Sequence, residues 1–238
     1  PSPWWGAMQK AIRLGHPSYV WRRGQDRRLA LIQRYVPLEG RSILDVGCGI
    51  GTYVAKFRDF SADVHGVDID PERVAQASLT LPNIRVAPAE RLPYPDNRFD
   101  VILLHEVIEH VDDDRAAIRE AYRCASPGGH IVIYAPNRLY PFETHGCFIL
   151  GRYVFGVIPL VNYFPDVIRN VFCPHVRVYL GRDIRRLFAG LGVRFVVHTY
   201  IYPGFDNVAA RWPLVGRSLQ AMADVLERTP LRRFGISH

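Results

Sequence analysis

The chain has 238 residues, 48% of them hydrophobic, which is enough for one sizeable core; a single domain of 1–238 carrying a cap is the natural count. No apolar run is long enough for a spanning helix and no signal peptide is visible, so an integral helical membrane protein is excluded and a soluble one expected. The four cysteines (Cys48, Cys124, Cys147, Cys173) show neither paired nor metal-type spacing, which points to a reducing cytoplasm.

The net charge of +7 is uneven: residues 1–40 carry seven basic and two acidic side chains, 181–238 nine and four, and the middle fourteen and seventeen. Basic ends of this kind suit phosphates or an anionic membrane surface. Twenty-eight of the thirty basic residues are Arg, however, so compositional bias on solvated faces explains them equally well.

The chain begins at Pro1 rather than Met, which reads as trimming. Ser2-Pro3 predicts an N-cap and first helical residue, with Trp4, Met8 and Ile12 on one face, and Gly15 and Pro17 end that helix. A second helix is predicted over Gln25 to Val36. Next comes Ile43-Leu44-Asp45-Val46-Gly47-Cys48-Gly49-Ile50-Gly51-Thr52: a short apolar strand, then glycines at alternate positions, then a helix from Tyr53 to Phe60. Without Cβ atoms the turn can be sharp, and a nucleotide-sized ligand can lie almost on the main chain.

Val64 to Asp70 predicts a second strand ending in an acid, and a carboxylate there can accept both hydroxyls of a ribose. Pro71 to Ser78 follows as a helix, Ile84 to Ala87 as a strand, Val101 to Leu104 as a buried strand, Asp113 to Cys124 as a helix and His130 to Ala135 as a strand. Alternation of this kind predicts a parallel, doubly wound sheet with ligands at the carboxyl ends of its strands. Asp183 to Ala189 (helix), Val193 to Tyr200 (strand) and Phe234 to Ser237 (the start of a last strand, cut short at His238) complete the reading.

Between them, residues 138–180 hold more aromatics than a connector requires, and Cys147 to Val161 is nearly apolar. It is broken by Gly151, Arg152, Gly156 and Pro159, too soon to span a bilayer. The segment is expected to be an apolar cap walling a flat or greasy acceptor, or alternatively ordinary core or a dimer surface. His145 is the polar residue placed in its pocket.

Three motifs together, LDVGCGIG over 44–51, Asp68 after the second strand and Ala89-Glu90-Arg91-Leu92-Pro93 running to Phe99-Asp100, resemble the class I S-adenosylmethionine-dependent methyltransferases of the methyltransferase-11 type. The chain is similar in particular to the ubiquinone-biosynthesis O-methyltransferases. The resemblance implies a Rossmann-like, mostly parallel seven-stranded sheet, S-adenosyl-L-methionine as cofactor, and the leading helices over 1–36 as its lid. It implies that Asp45, Gly47, Cys48, Gly49 and Gly51 hold the amino-acid end, with Arg22 on its carboxylate. Asp68 and Ile69 then meet the ribose, Ala89 and Glu90 the adenine side, and His105 the methyl. Pro88 departs from the pattern, since many relatives carry an Asp there for the adenine amine.

Methyl transfer from a sulfonium asks the protein for alignment, exclusion of water and removal of the acceptor proton. The segment placed for this is His105-Glu106-Val107-Ile108-Glu109-His110. If it is helical, Glu106, Glu109 and His110 share a face and can take three positions on a divalent ion. Glu-x-x-Glu-His resembles a metal motif of the ubiquinone O-methyltransferases and of enzymes methylating RNA 2′ hydroxyls, and His175 then supplies the fourth ligand to Mg, Mn, Fe or Zn. Many methyltransferases carry Glu-His here without metal; Glu109, His110 and His145 are then the catalytic candidates. A hydrophobic hydroxylated small molecule is the expected acceptor, with RNA disfavoured because the cap is apolar rather than Arg-rich. A non-catalytic cofactor-binding partner protein is the reading from another class.

Overall fold

The computed structural model describes residues 21–149 and 152–238. The expected helix of Trp4, Met8 and Ile12, and with it the lid as far as residue 20, lies outside the described residues.

Helix α1 (Arg23–Tyr35) leads into β1 (Ile43–Val46), every residue of which is buried. β1 can be so apolar because it is the middle strand, hydrogen-bonded on both sides and covered on both faces. On one side it pairs in parallel with β2 (Val64–Asp68), Ile43 opposite Val64, and β2 pairs with β3 (Ile84–Val86). On the other it pairs with β4 (Phe99–His105), Ile43 opposite Val101, and β4 with β5 (Ala125–Tyr134). The order β3-β2-β1-β4-β5 reverses direction beside β1, which opens a crevice at the carboxyl ends of β1 and β4.

Helices cover both faces. α1 and α2 (Thr52–Phe57) pack Leu29, Ile32, Val54 and Phe57 on one side with Ile43, Val64 and Leu103. On the other, α4 (Asp114–Cys124) and α6 (Gly181–Leu187) pack Ile118, Ala121, Ile184 and Leu187 with Leu44, Ile102 and Leu104. Local signals set the helix starts. α3 (Pro71–Ser78) has the bounds predicted for it, because Asp70 caps it through a 2.9 Å bond from Glu72 N–H and Pro71 needs no donor.

The expected seventh and sixth strands do not form ladders, and the sheet has five strands among the described residues. Residues 193–200 carry no strand, and Ser237 makes only isolated bridges, to Pro136 and Ile201. A cavity of about 950 Å³ lies between β5 and 192–199.

The segment 138–180 is a small unit of its own. β6 (Phe142–Glu143) pairs antiparallel with β9 (Ile158–Pro159), and β7 (Cys147–Ile149) with β8 (Arg152–Val154); α5 (Asp166–Phe172) packs against β7. The apolar interior expected of it is reduced to Cys147, Val161, Cys173 and Val176. Phe155, Tyr163 and Phe164 are exposed, while Glu143, Asn162 and Arg169 are buried. Four of the nine aromatics are therefore turned outward, Tyr179 is buried and the rest are half-buried, and the interior is organised in part by polar groups. The unit returns to the core across the loop 106–112: Arg177 N–H bonds Glu109 O at 3.1 Å, and the Tyr179 hydroxyl bonds Ile108 O at 2.9 Å.

The remaining helices are α7 (Asp206–Arg211) and α8 (Pro213–Leu226). No helix among the described residues is long and apolar enough to cross a membrane.

Candidate active site

The turn after β1 is built on backbone that ordinary residues avoid. Gly47, Gly49 and Gly51 have φ of +71°, +56° and +84°. At Gly47 a Cβ would also stand 2.4 Å from Val107 Cγ2, so the glycine lets the loop after β4 close onto the turn. Asp68 then ties the turn to β2: its Oδ2 accepts Gly49 N–H at 2.7 Å and its Oδ1 accepts Asp70 N–H at 2.9 Å. Each oxygen keeps a second lone pair, so the carboxylate can still receive hydroxyls. Asp45 lies buried nearby, and burial followed by the charge of Asp68 pushes its pKa well above the carboxylate range.

A cavity of about 390 Å³ opens over this turn, a size usual for small-ligand pockets. It gathers Gly47, Asp68, Ile69, Ala89 and Glu90 from the residues expected to hold a cofactor, and Pro88 with them. Glu106, Val107 and His110 form its other wall. Glu90 does double work, its Oε1 accepting Asp112 N–H at 2.9 Å and so fixing that wall.

Asp45 and five other expected cofactor residues stand outside this lining. Gly49 and Gly51 shape the turn, and Cys48 is buried beneath it with its Sγ toward Gly49 O. His105 lies between the rings of Tyr53 and Tyr134, at 4.8 and 5.3 Å. Burial and then the nearby Arg28 push its pKa down to about 3, so it is a neutral packing group. Arg22 precedes α1, where its Nη1 donates to Asn207 Oδ1 at 2.5 Å.

The segment from Glu106 to His110 is a turn rather than the helix that its spacing suggested. Glu106 adopts φ of +54°, so the three side chains do not share a helical face. Glu106 Oε1 accepts from Ser237 Oγ at 2.6 Å and lies 3.7 Å from Arg28. Glu109 is 1% exposed, and neither carboxylate oxygen has a hydrogen-bond partner among the described residues. Burial, then the charge of Glu106, pushes its pKa well above the usual range. His110 sits 4.0 Å from Glu109 Oε1; burial and then His145 lower its pKa to about 4, and its Nδ1 also lacks a partner.

The third member comes from the cap. The His145 ring meets that of His110 at 5.5 Å, nearly perpendicular, and its Nδ1 is 2.9 Å from Glu143 Oε1. Glu143 is fixed in turn by Thr144 N–H and His145 N–H, each at 2.8 Å, and by Arg169 Nη2 at 2.6 Å. Burial alone would raise the Glu143 pKa, but the His145 hydrogen bond and charge outweigh it and take it down to about 2. One ligand atom each from Glu109, His110 and His145 lie within 4.8 Å of one another. The expected set of Glu106, Glu109, His110 and His175 is thus split: His145 stands where His175 was expected. His175 Nε2 lies 3.4 Å from the His145 carbonyl oxygen, its ring edge-on to Phe148 and Tyr153. Glu143 and Arg169 escaped the sequence reading; the Glu143-x-His145 spacing is the one local signal, and nothing marks Arg169.

Residues 44–133 match the family described as "Methyltransferase domain". Over 112 residues the chain is 38% identical to norajmaline N-methyltransferase of Rauvolfia serpentina, covering 42% of this chain and 38% of that one. It is 31% identical over 142 residues to a ubiquinone biosynthesis O-methyltransferase of Nitrosospira multiformis, covering 56% and 58%. The chain thus spans less than two thirds of the length of these curated relatives. In fold it is similar to a solved S-adenosylmethionine-dependent methyltransferase of Mesorhizobium loti, with a TM-score of 0.57, 20% identity, and coverage of 81% and 91%.

Proposed function

We propose that this chain, whose residues 44–133 form a methyltransferase domain of the S-adenosylmethionine-dependent class, moves a methyl group to a hydroxyl of a hydrophobic small molecule. One observation carries the reading. A single cavity has the glycine turn, Asp68 and Glu90 on one wall, and Glu106 and His110 on the other. When bound, S-adenosylmethionine supplies a methyl on a sulfonium, so no covalent nucleophile is asked of the protein. Gly47 and Ala89 give it backbone to lie on, and Asp68 offers oxygens to the ribose.

The acceptor side is assigned to Glu109, His110 and His145. Burial keeps His110 neutral at neutral pH, and its Nδ1 has no partner among the described residues. The ring can therefore accept a hydrogen bond from the acceptor hydroxyl and orient it, while the low pKa makes it a weak base on its own. Glu143 holds His145 with Nδ1 committed, which leaves its other nitrogen as the one available to the group. The same three side chains fit a divalent ion: a buried carboxylate with both oxygens unbonded is costly alone and natural beside a cation. Such an ion would polarise the acceptor oxygen. Mixed carboxylate and imidazole ligation suits Mg, Mn, Fe or Zn.

The test is transfer of labelled methyl to a panel of catechols, quinols and amines, before and after chelation. Hydroxyl methylation lost on chelation and restored by one metal supports the reading. Transfer confined to amines, as the N-methyltransferase relative makes the chief competing outcome, or full activity in chelator, sinks the acceptor or the metal part respectively.

A further inference from the structure

The cap folds around very little. Its buried apolar cluster is Cys147, Val161, Cys173 and Val176, with Ile158 and Phe172 partly buried against it. A unit this small cannot bury enough surface to stand on packing alone, and small scaffolds usually carry a covalent or metal staple. Two of its four buried members are cysteines, and their Sγ atoms are 2.6 Å apart, nearer than two unbonded sulfurs rest. Cys173 Sγ also lies 3.6 Å from Gly146 O, as the sulfurs of Cys48 and Cys124 lie near the carbonyl oxygens of Gly49 and Tyr94; what sets Cys147 and Cys173 apart is the facing sulfur.

We propose that Cys147 and Cys173 are the site of a disulfide that closes the cap. The bond joins the first residue of β7 to the residue after α5, 26 positions apart. Two thiols and one low-molecular-weight disulfide give the protein disulfide and two low-molecular-weight thiols; the protein loses two electrons and two protons, and the small disulfide takes them up. Burial pushes both protein thiols up, which leaves little thiolate in the closed cap. Exchange therefore proceeds through local opening of the cap, and once closed the bond is shielded from reductant.

The bond has a purpose legible in the chain. His145 stands two residues before Cys147, and His175 two residues after Cys173. Joining the sulfurs ties the stretch of His145, whose ring meets that of His110, to the segment of His175, whose ring nitrogen bonds the His145 carbonyl. The inference does not depend on methyl transfer, and it revises the expectation from spacing that these cysteines are unrelated.

The experiment uses the full chain, incubated at length with glutathione disulfide, then denatured in N-ethylmaleimide and weighed. The proposal expects two maleimide adducts for four cysteines, and a tryptic map without reductant in which peptide 139–152 is joined to peptide 170–177. It also expects limited trypsin cleavage at Arg152 to slow on oxidation and recover with reductant. Four adducts with no joined peptide overturn it, as does a bond involving Cys48 or Cys124. Four alkylated thiols together with a metal carried in the native mass also overturn it, by assigning the pair to an ion.

Discussion

Two carboxylates, one in the core and one under the cap, are both buried and have opposite surroundings. Asp68 is 5% exposed, and both its oxygens receive backbone N–H groups, one from Gly49 in the glycine turn and one from Asp70 after β2. Glu109 is 1% exposed and neither of its oxygens is hydrogen-bonded among the described residues. A satisfied buried carboxylate is part of the scaffold that it stabilises; an unsatisfied one persists at a cost, and such costs gather where a ligand is to be met. On the proposed reading the core is preorganised for a cofactor, while the group shared with the cap is the side offered to an acceptor or an ion.

The comparison breaks first at Glu109. Its replacement by Ala should lower turnover by ~10²–10⁴-fold, the range for a lost acid–base group, in a labelled-methyl assay. Its replacement by Leu should leave the urea midpoint unchanged or raised, because an orphaned buried polar group costs about 1–3 kcal/mol. A clear fall in stability would show that Glu109 has a partner that the structure does not record. Glu143 should behave in the opposite way. Glu143→Ala strands Arg169, itself 1% exposed, and breaking a buried pair costs about 3–5 kcal/mol. Urea unfolding of the two variants side by side sharpens the contrast.

The turn offers a smaller effect. Gly47→Ala adds a Cβ against Val107 at a φ of +71°, with an expected loss of about 1–3 kcal/mol. Val107→Ala in the same chain should recover part of it, since the contact with Val107 adds to the backbone cost. No recovery would place the whole cost in φ.

Asp63 gives the smallest effect. Two hydrogen bonds from Arg98 hold its carboxyl below its ordinary 3.8, against a lesser opposing effect of burial, and His65 assists. A depressed folded pKa means that the stabilisation is complete above 3.8 and disappears as the pH falls through the folded value. The Asp63 side chain is 45% exposed, so screening limits this to ~0.2–1 kcal/mol. The difference in unfolding midpoint between wild type and Arg98→Ala should therefore shrink as the pH is lowered below 4. A constant difference would remove Asp63 as its source.

The same contrast explains what could be read in advance. The core was legible because each of its demands is local: φ above zero calls for glycine at 47, 49 and 51, and an acid then Pro71 starts α3. The Glu106–His110 group failed at one dihedral angle, since a helix was assumed and Glu106 took the left-handed region. The strand at 193–200 failed because pairing needs a neighbour that sequence periodicity cannot see, and β5 stands across a cavity from it. Glu143, Arg169 and the two cap cysteines meet across 26 positions, a distance at which no spacing rule operates.

The central claim is that cofactor holding and acceptor chemistry reside on separate carboxylates, Asp68 on the cavity lining and Glu109 buried behind its His110 wall. Calorimetric titration of S-adenosylhomocysteine into wild type, Asp68→Ala and Glu109→Ala tests it directly. The account predicts binding by wild type and Glu109→Ala within a small factor of each other, and its loss in a folded Asp68→Ala. Equal binding by Asp68→Ala, or loss confined to Glu109→Ala, would contradict it.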